Sequence, residues 1–132
     1  MKLTRSVSYA VGILLRVLRE DSDSPMTAAQ IAKGCKFPPR FLYRVLRRLV
    51  DAQLMHGVSG PGGGYALARP ASKITLYDVV VAVEGAPDIT TLEPVHKSQT
   101  KAIQLINQLS ERGAARFHQE LKRVTLAKMA KL

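Results

Sequence analysis

The chain has a single cysteine, Cys35, so neither an intramolecular disulfide nor a set of thiolate metal ligands can form within one molecule. Acidic residues are scarce, ten Asp and Glu against twenty Lys and Arg in 132 residues, which leaves a formal net charge of +10. Long apolar runs are missing: no stretch approaches the roughly 20 uninterrupted residues of a membrane span. The opening "MKLTRSVSYAVGILLRVLRE" is broken by Arg16 and Arg19 and has no small-x-small cleavage site, which argues against a secretory signal and for a cytoplasmic protein. Catalytic groupings are lacking too. The acidic residues form no evident pair, no serine has the elbow or base pattern of a nucleophile, and His56, His96 and His118 stand apart without a second ligand at metal spacing. These absences exclude a hydrolytic or metal-centred enzyme and imply no cofactor.

What is abundant is positive charge, and it is uneven. Residues 1–50 hold ten basic and three acidic side chains (+7), residues 51–85 two and three (−1), and residues 86–132 eight and four (+4). A polyanionic partner follows from this, since like charge at such density is a footprint of nucleic-acid or membrane-surface binding. At 46% hydrophobic and 23% charged, the chain suits one globular domain plus an appendage.

Periodicity supplies the elements. Val7, Ala10, Val11, Leu14, Leu15 and Leu18 recur at helical spacing, predicting a first helix from about Thr4 to Glu20, ended by "EDSDSP". In "TAAQIAKGC", Thr27 and Gln30 form a capping box and Gly34 can take the left-handed conformation that closes a second, two-turn helix. Pro39 then suits the first turn of a third helix, whose core face is Leu42, Val45, Leu46 and Leu49. Arg40, Arg44, Arg47 and Arg48 fall on its far side, with Tyr43 at the flank. "TLYDVVVAVEG" predicts a fourth helix with Thr75 as cap and Gly85 as stop. The loop "APDITTLEPVHKS" precedes a long helix from about Ser98 to Val124, and "TLAKMAKL" adds a short capped turn.

Between the third and fourth helices lies "SGPGGGYALARP". Tyr65 and Ala66 follow Gly64 where a phosphate loop of the Walker type needs Lys and Ser/Thr, and Tyr65 stands where a dinucleotide fingerprint needs a small residue. With "LMHGV" on one side and "YALA" on the other, the stretch reads as a hairpin tip. Two helices joined by a tight turn and followed by a hairpin make a winged helix-turn-helix, mainly α with a small β-hairpin. Its third helix matches the width of the B-DNA major groove, so Arg40, Tyr43 and Arg44 are placed at base edges and Arg47 and Arg48 at phosphates. Thr27 and Pro39 lie at the two helix starts that approach the backbone. The tip, Ser59, Gly60, Pro61, Gly62 and Gly63, can bring N–H groups close to phosphate because it carries little side chain. Phe37 and Phe41 are expected to pack, as is Cys35, although Lys33 and Lys36 near Cys35 would favour a reactive thiolate.

The long C-terminal helix carries Ile103, Ile106, Leu109, Gly113, Phe117, Leu121 and Val124 at steps of three or four. At about 26 residues and 1.5 Å each it would reach about 39 Å, more than so small a domain can cover, so the stripe is expected to pair with a second copy. Gly113 would permit close approach, or break the helix.

"MKLTRSVSYAVGILLRVL", "FLYRVLRRLVDAQLM", "SGPGGGYALARP" and "ITLYDVVVAVEG" together resemble the Rrf-two family of bacterial transcription regulators, most strongly over residues 1–85, with "VTLAKM" similar to its closing segment. The resemblance implies a homodimer on a partly palindromic operator in double-stranded DNA, third helix in the major groove and wing on the flanking minor groove. Many members hold an iron-sulfur cluster through three cysteines in the loop after "EG" and a ligand on the long helix. A gap-free alignment puts Leu92, Ser98, Gln104 and Asn107 at those positions, so no cluster is expected here. Where the family wing commonly has Arg before its glycines this chain has Ser59, and Arg69 is too far along the second strand to replace it. The expected organisation is a DNA-binding domain over 1–85, a loop over 86–97 and a dimerisation segment with a short last helix over 98–132. The expected function is sequence-specific transcriptional regulation, as a repressor, with no effector named. Two alternatives stay open: a protein-interaction module that has lost DNA recognition, and a basic RNA- or ribosome-associated factor.

Overall fold

In the computed structural model, which describes residues 2–19, 24–86 and 89–132, α1 (Arg5–Arg19) is packed by α3 (Pro39–Asp51), α4 (Leu76–Glu84) and α6 (Leu126–Ala130). Being covered on several sides, α1 buries Val7, Ala10, Ile13 and Leu14, and half-buries Val11, Leu15 and Leu18. Ile13 was not on the expected stripe; a helix enclosed by three others uses more of its circumference than one apolar face. The expected end of α1 at Glu20 and the break that follows begin outside the described residues.

The short α2 (Ala28–Ala32) exists because of its cap. Thr27 accepts from the Gln30 N–H and Gln30 accepts from the Thr27 N–H, the reciprocal box read in the sequence. Gly34, at φ +77°, turns the chain out of α2, and Pro39 opens α3 at its first position. The α3 core face, Leu42, Val45, Leu46 and Leu49, is buried throughout.

α3 ends in a Schellman motif. The Leu54 N–H reaches the Leu49 carbonyl (3.0 Å) and the Gln53 N–H the Val50 carbonyl (2.9 Å), with Gln53 at φ +59°. A side chain in that conformation is disfavoured, so Gln53→Gly is expected to raise stability by up to about 1 kcal/mol, read as an upward shift in Tm. An unchanged or lower Tm would show that the exposed glutamine side chain is worth more than the strain.

β1 (Met55–Val58) and β2 (Gly64–Leu67) pair antiparallel, Val58 opposite Gly64. A third extended piece joins them: the Met26 N–H donates to the Tyr65 carbonyl (2.9 Å) and the Tyr65 N–H to the Met26 carbonyl (2.7 Å), tying the start of α2 to the hairpin.

α4 is capped by Thr75 and Asp78 and stopped by Gly85 at φ +86°. A 3-10 turn over Lys97–Gln99 leads into α5 (Thr100–Lys122), which passes Gly113 without a break and runs about 35 Å. The chain then returns. Leu76 donates to the Val124 carbonyl and Leu126 to the Ile74 carbonyl, both at 2.8 Å, so that Thr75 and Thr125, the caps of α4 and α6, lie side by side. Leu121 and Leu126 thereby enter the same core cluster as Val7, Leu46 and Val80. The core therefore joins residues on both sides of residue 85, and α6 packs against α1.

Candidate nucleic-acid interface

The seat of α3 is aromatic. Phe37 meets Tyr9 of α1 edge to face, centroids 5.5 Å apart at 83°, and Gly12 admits its ring, since a Cβ there would stand 3.3 Å from Phe37 Cζ. Tyr9 also lies 6.3 Å from the Phe41 ring, and the Arg44 guanidinium sits 5.6 Å from the Phe41 centroid. Phe41 thus contacts both Tyr9 of α1 and Arg44, the latter allowed by the i, i+3 spacing of Phe41 and Arg44.

On the open face of α3, Arg40, Tyr43, Arg44 and Arg47 are exposed. Among the described residues, the side chains of Arg40, Tyr43 and Arg47 make no hydrogen bond or ion pair. Arg48 is exposed as well, but its guanidinium is engaged within the chain. It lies about 80° around the helix from Arg40, on the side that packs against α4, and its guanidinium donates to the Val83 carbonyl near the α4 C-terminus. There it satisfies an acceptor that the helix itself leaves without an N–H partner. Arg48→Ala is expected to cost about 1 kcal/mol of stability, whereas Arg47→Ala should leave Tm unchanged. Equal effects in thermal denaturation would return Arg48 to the free face.

The wing tip is a tight turn over Gly60–Gly63. Pro61 takes the second position, Gly62 the third at φ +74°, and the Gly63 N–H closes the turn on the Gly60 carbonyl (2.9 Å), the pattern of a type II turn. The Gly63 N–H is therefore used inside the tip and does not face outward as an anion donor. Gly63 has no room for a side chain, because a Cβ would fall 2.2 Å from the Val58 carbonyl oxygen. Where β2 leaves the turn, Gly64 plays the corresponding part against Met26, whose carbonyl oxygen would stand 2.4 Å from an added Cβ.

Arg69 fixes the other end of the hairpin, its root. Its guanidinium reaches the carbonyls of Gln53 and Lys73, both at 3.4 Å, and the Asp78 carboxylate at 3.7 Å, linking the end of α3 to the start of α4. Ser59 is exposed where β1 enters the turn. Thr27 and Pro39 are exposed at the starts of α2 and α3.

α5 divides along its length. Ile106 and Leu109 are 46% and 54% exposed, Leu105 is 53% exposed, Gly113 is exposed with open space around it, and Ile103 is half-buried. Phe117 and Leu121 pack against the chain's own core, and Val124 lies beyond the helix, bonded to Leu76. Of the expected stripe, the N-terminal half is thus open, whereas the last turns of α5 are covered by α4. Ile89, Leu92 and Val95 of the preceding segment add exposed apolar surface.

That segment, unreadable as sequence, is tied to α5. The Asn107 carboxamide accepts from the Leu92 N–H and donates to the Leu92 carbonyl, both at 3.0 Å, and Gln99 accepts from the Val95 N–H (3.2 Å). Pro87 and Asp88 lie outside the described residues. Leu92 and Asn107, two of the positions aligned with cluster ligands, are therefore brought together, but as a hydrogen-bonded pair.

Cys35 is half-buried where the chain leaves α2. His56 is exposed, His96 bonds Ser98 (2.9 Å), and His118 packs on Tyr77, so the histidines stay apart. Among the described residues, no group of three or more His, Cys, Asp and Glu could hold a metal ion, and no helix is long and apolar enough to cross a membrane.

Comparison with known proteins adds a lineage to this geometry. The Rrf2 family, described as iron-dependent transcriptional regulator, matches residues 3–132. IscR of Yersinia pestis, named an HTH-type transcriptional regulator, is 31% identical over 129 residues, covering 98% of this chain and 79% of that protein. YwgB of Bacillus subtilis (strain 168), whose name is also that of an HTH-type transcriptional regulator, is 36% identical over 85 residues, 64% of this chain and 54% of YwgB. The match thus spans about half the length of YwgB. Among solved structures, the oxidized form of Staphylococcus aureus CymR superposes with a TM-score of 0.73 at 23% identity, covering 100% of this chain and 98% of CymR. The T. potens IscR structure gives 0.71 at 23%, covering 99% and 87%. At such identity these likenesses establish a shared fold, the winged helix-turn-helix with a long C-terminal helix.

Proposed function

The chain belongs to the Rrf2 family of transcriptional regulators, and on that premise we propose that it binds double-stranded DNA sequence-specifically as a homodimer, represses transcription in the cytoplasm, and does so without an iron-sulfur cluster. The observation that carries this reading is the open face of α3: Arg40, Tyr43 and Arg47 are exposed and uncommitted within the chain, beside an Arg44 stacked on Phe41, on a helix whose other face is wholly buried. Arg40, Tyr43 and Arg44 read base edges and Arg47 meets phosphate. Thr27, Pro39 and the wing residues Ser59, Gly60, Pro61, Gly62 and Gly63 lie along the backbone, where a tip with few side chains comes near the sugar-phosphate rail. Ile103, Ile106, Leu109 and Gly113 form the contact with a second copy, so that two recognition helices stand about 34 Å apart, one turn of duplex. The reading assigns residues 1–85 with α6 to DNA binding and the open half of α5 to assembly.

Titration of the purified protein against its own promoter duplex and a random duplex, at several salt concentrations, tests this. Tight binding that prefers the promoter and weakens steeply with salt supports the regulator. Equal binding to both duplexes and to RNA points to a general basic factor, and no duplex binding at low salt defeats the reading.

A further inference from the structure

The family carries iron in its description, yet the donors needed to hold it are not assembled in this chain. Cys35 is the one thiol, it lies at the end of α2 within the helix-turn-helix, and the described residues contain no three-residue group of His, Cys, Asp and Glu. Thiolates are the ligands on which iron-sulfur clusters depend, so such a group does not fit. The segment between α4 and α5 nonetheless has a defined place. Its tie is Asn107, whose carboxamide meets both backbone groups of Leu92 as a neighbouring strand would, donating with Nδ2 and accepting with Oδ1. Closer to the helix, Gln99 accepts from Val95 and His96 from Ser98, so the segment is fastened at successive points by amide and imidazole groups.

We propose that the Asn107 carboxamide is a built-in latch that fastens the α4–α5 segment to α5 in the absence of iron and of any redox change. The proposal rests on the cluster-free regulator described above. The latch fixes the backbone at Leu92, whose side chain stays half-exposed, on the segment that leads into α5. Because an amide neither titrates in the physiological range nor changes oxidation state, a surface organised in this way is constant where a metal-held one would respond. Asn107 acts here as a positioning residue, through the main chain of Leu92.

Hydrogen exchange of the free protein, resolved to the Leu92 amide, tests the latch without reference to DNA. Asn107→Ala should speed exchange at Leu92 by about tenfold while amides within α4 and α5 stay as slow as before, since alanine favours the helix. Treatment of the unsubstituted protein with an iron chelator should leave the Leu92 rate unchanged. Equal Leu92 rates in the two chains would overturn the proposal, as would a chelator effect that matches the substitution. A protein that shows the expected exchange but binds no duplex retains the latch and loses only the DNA-binding reading.

Discussion

Leu109→Glu is expected to give a folded chain that no longer dimerises. Leu109 is 54% exposed in the single chain, with Ile106 and Leu105 similarly open on the same half of α5, so its replacement removes no contact from the chain's own core. In a two-fold assembly the same position occurs twice. Burial of a leucine side chain contributes about 1.5–3 kcal/mol, and an unpaired carboxylate placed in an apolar contact costs several kcal/mol more. The dimer constant should therefore weaken by at least about 10³-fold. Sedimentation equilibrium, with circular dichroism confirming the fold, measures this directly. Coupling between half-sites is lost with the dimer, so promoter affinity should collapse toward that of one recognition helix. An unchanged dimer constant would move the contact off α5.

Arg44→Ala should separate recognition from attraction. The guanidinium is carried on an outward turn of α3 and stacked on Phe41, which restricts the conformations it loses on binding. A bidentate contact to guanine discriminates by about 1–3 kcal/mol, and two-fold symmetry doubles it, so promoter affinity should fall by about 30-fold to 10⁴-fold. Random duplex, bound through charge alone, should lose far less. Binding isotherms on both duplexes at one salt concentration give the comparison, and equal losses would place Arg44 among the phosphate contacts.

The parts of this molecule that were legible in its sequence share a physical reason: they are specified locally. Thr27 with Gln30 and Thr75 with Asp78 cap their helices through neighbours three residues away, and Pro61 with Gly62 sets a turn by its own backbone preferences. The core face of α3 follows from its 100° step alone. What could not be read depends on distant segments. The pairing of Met26 with Tyr65 involves one residue with no strand pattern around it, and the tie from Arg48 to Val83 joins positions 35 apart. The angle of Arg48 on α3 was a usable signal, since it points away from the centre of the arginine face. Leu121 illustrates a deeper ambiguity. An apolar stripe at helical spacing has the same appearance whether its cover is α4 of the same chain or a second molecule, and only the return of α6 decides between them. Asn107 carried no motif, because a carboxamide that pairs with a backbone twelve or more residues away leaves no local pattern.

Hydroxyl-radical footprinting of the protein on its own promoter duplex decides whether it binds as a two-fold dimer. Two protected stretches related by a two-fold axis are expected, centred about 34 Å or 10 base pairs apart, each lost at high salt and both lost together in Leu109→Glu. A single protected stretch, or uniform protection along the duplex, would contradict binding as a two-fold dimer.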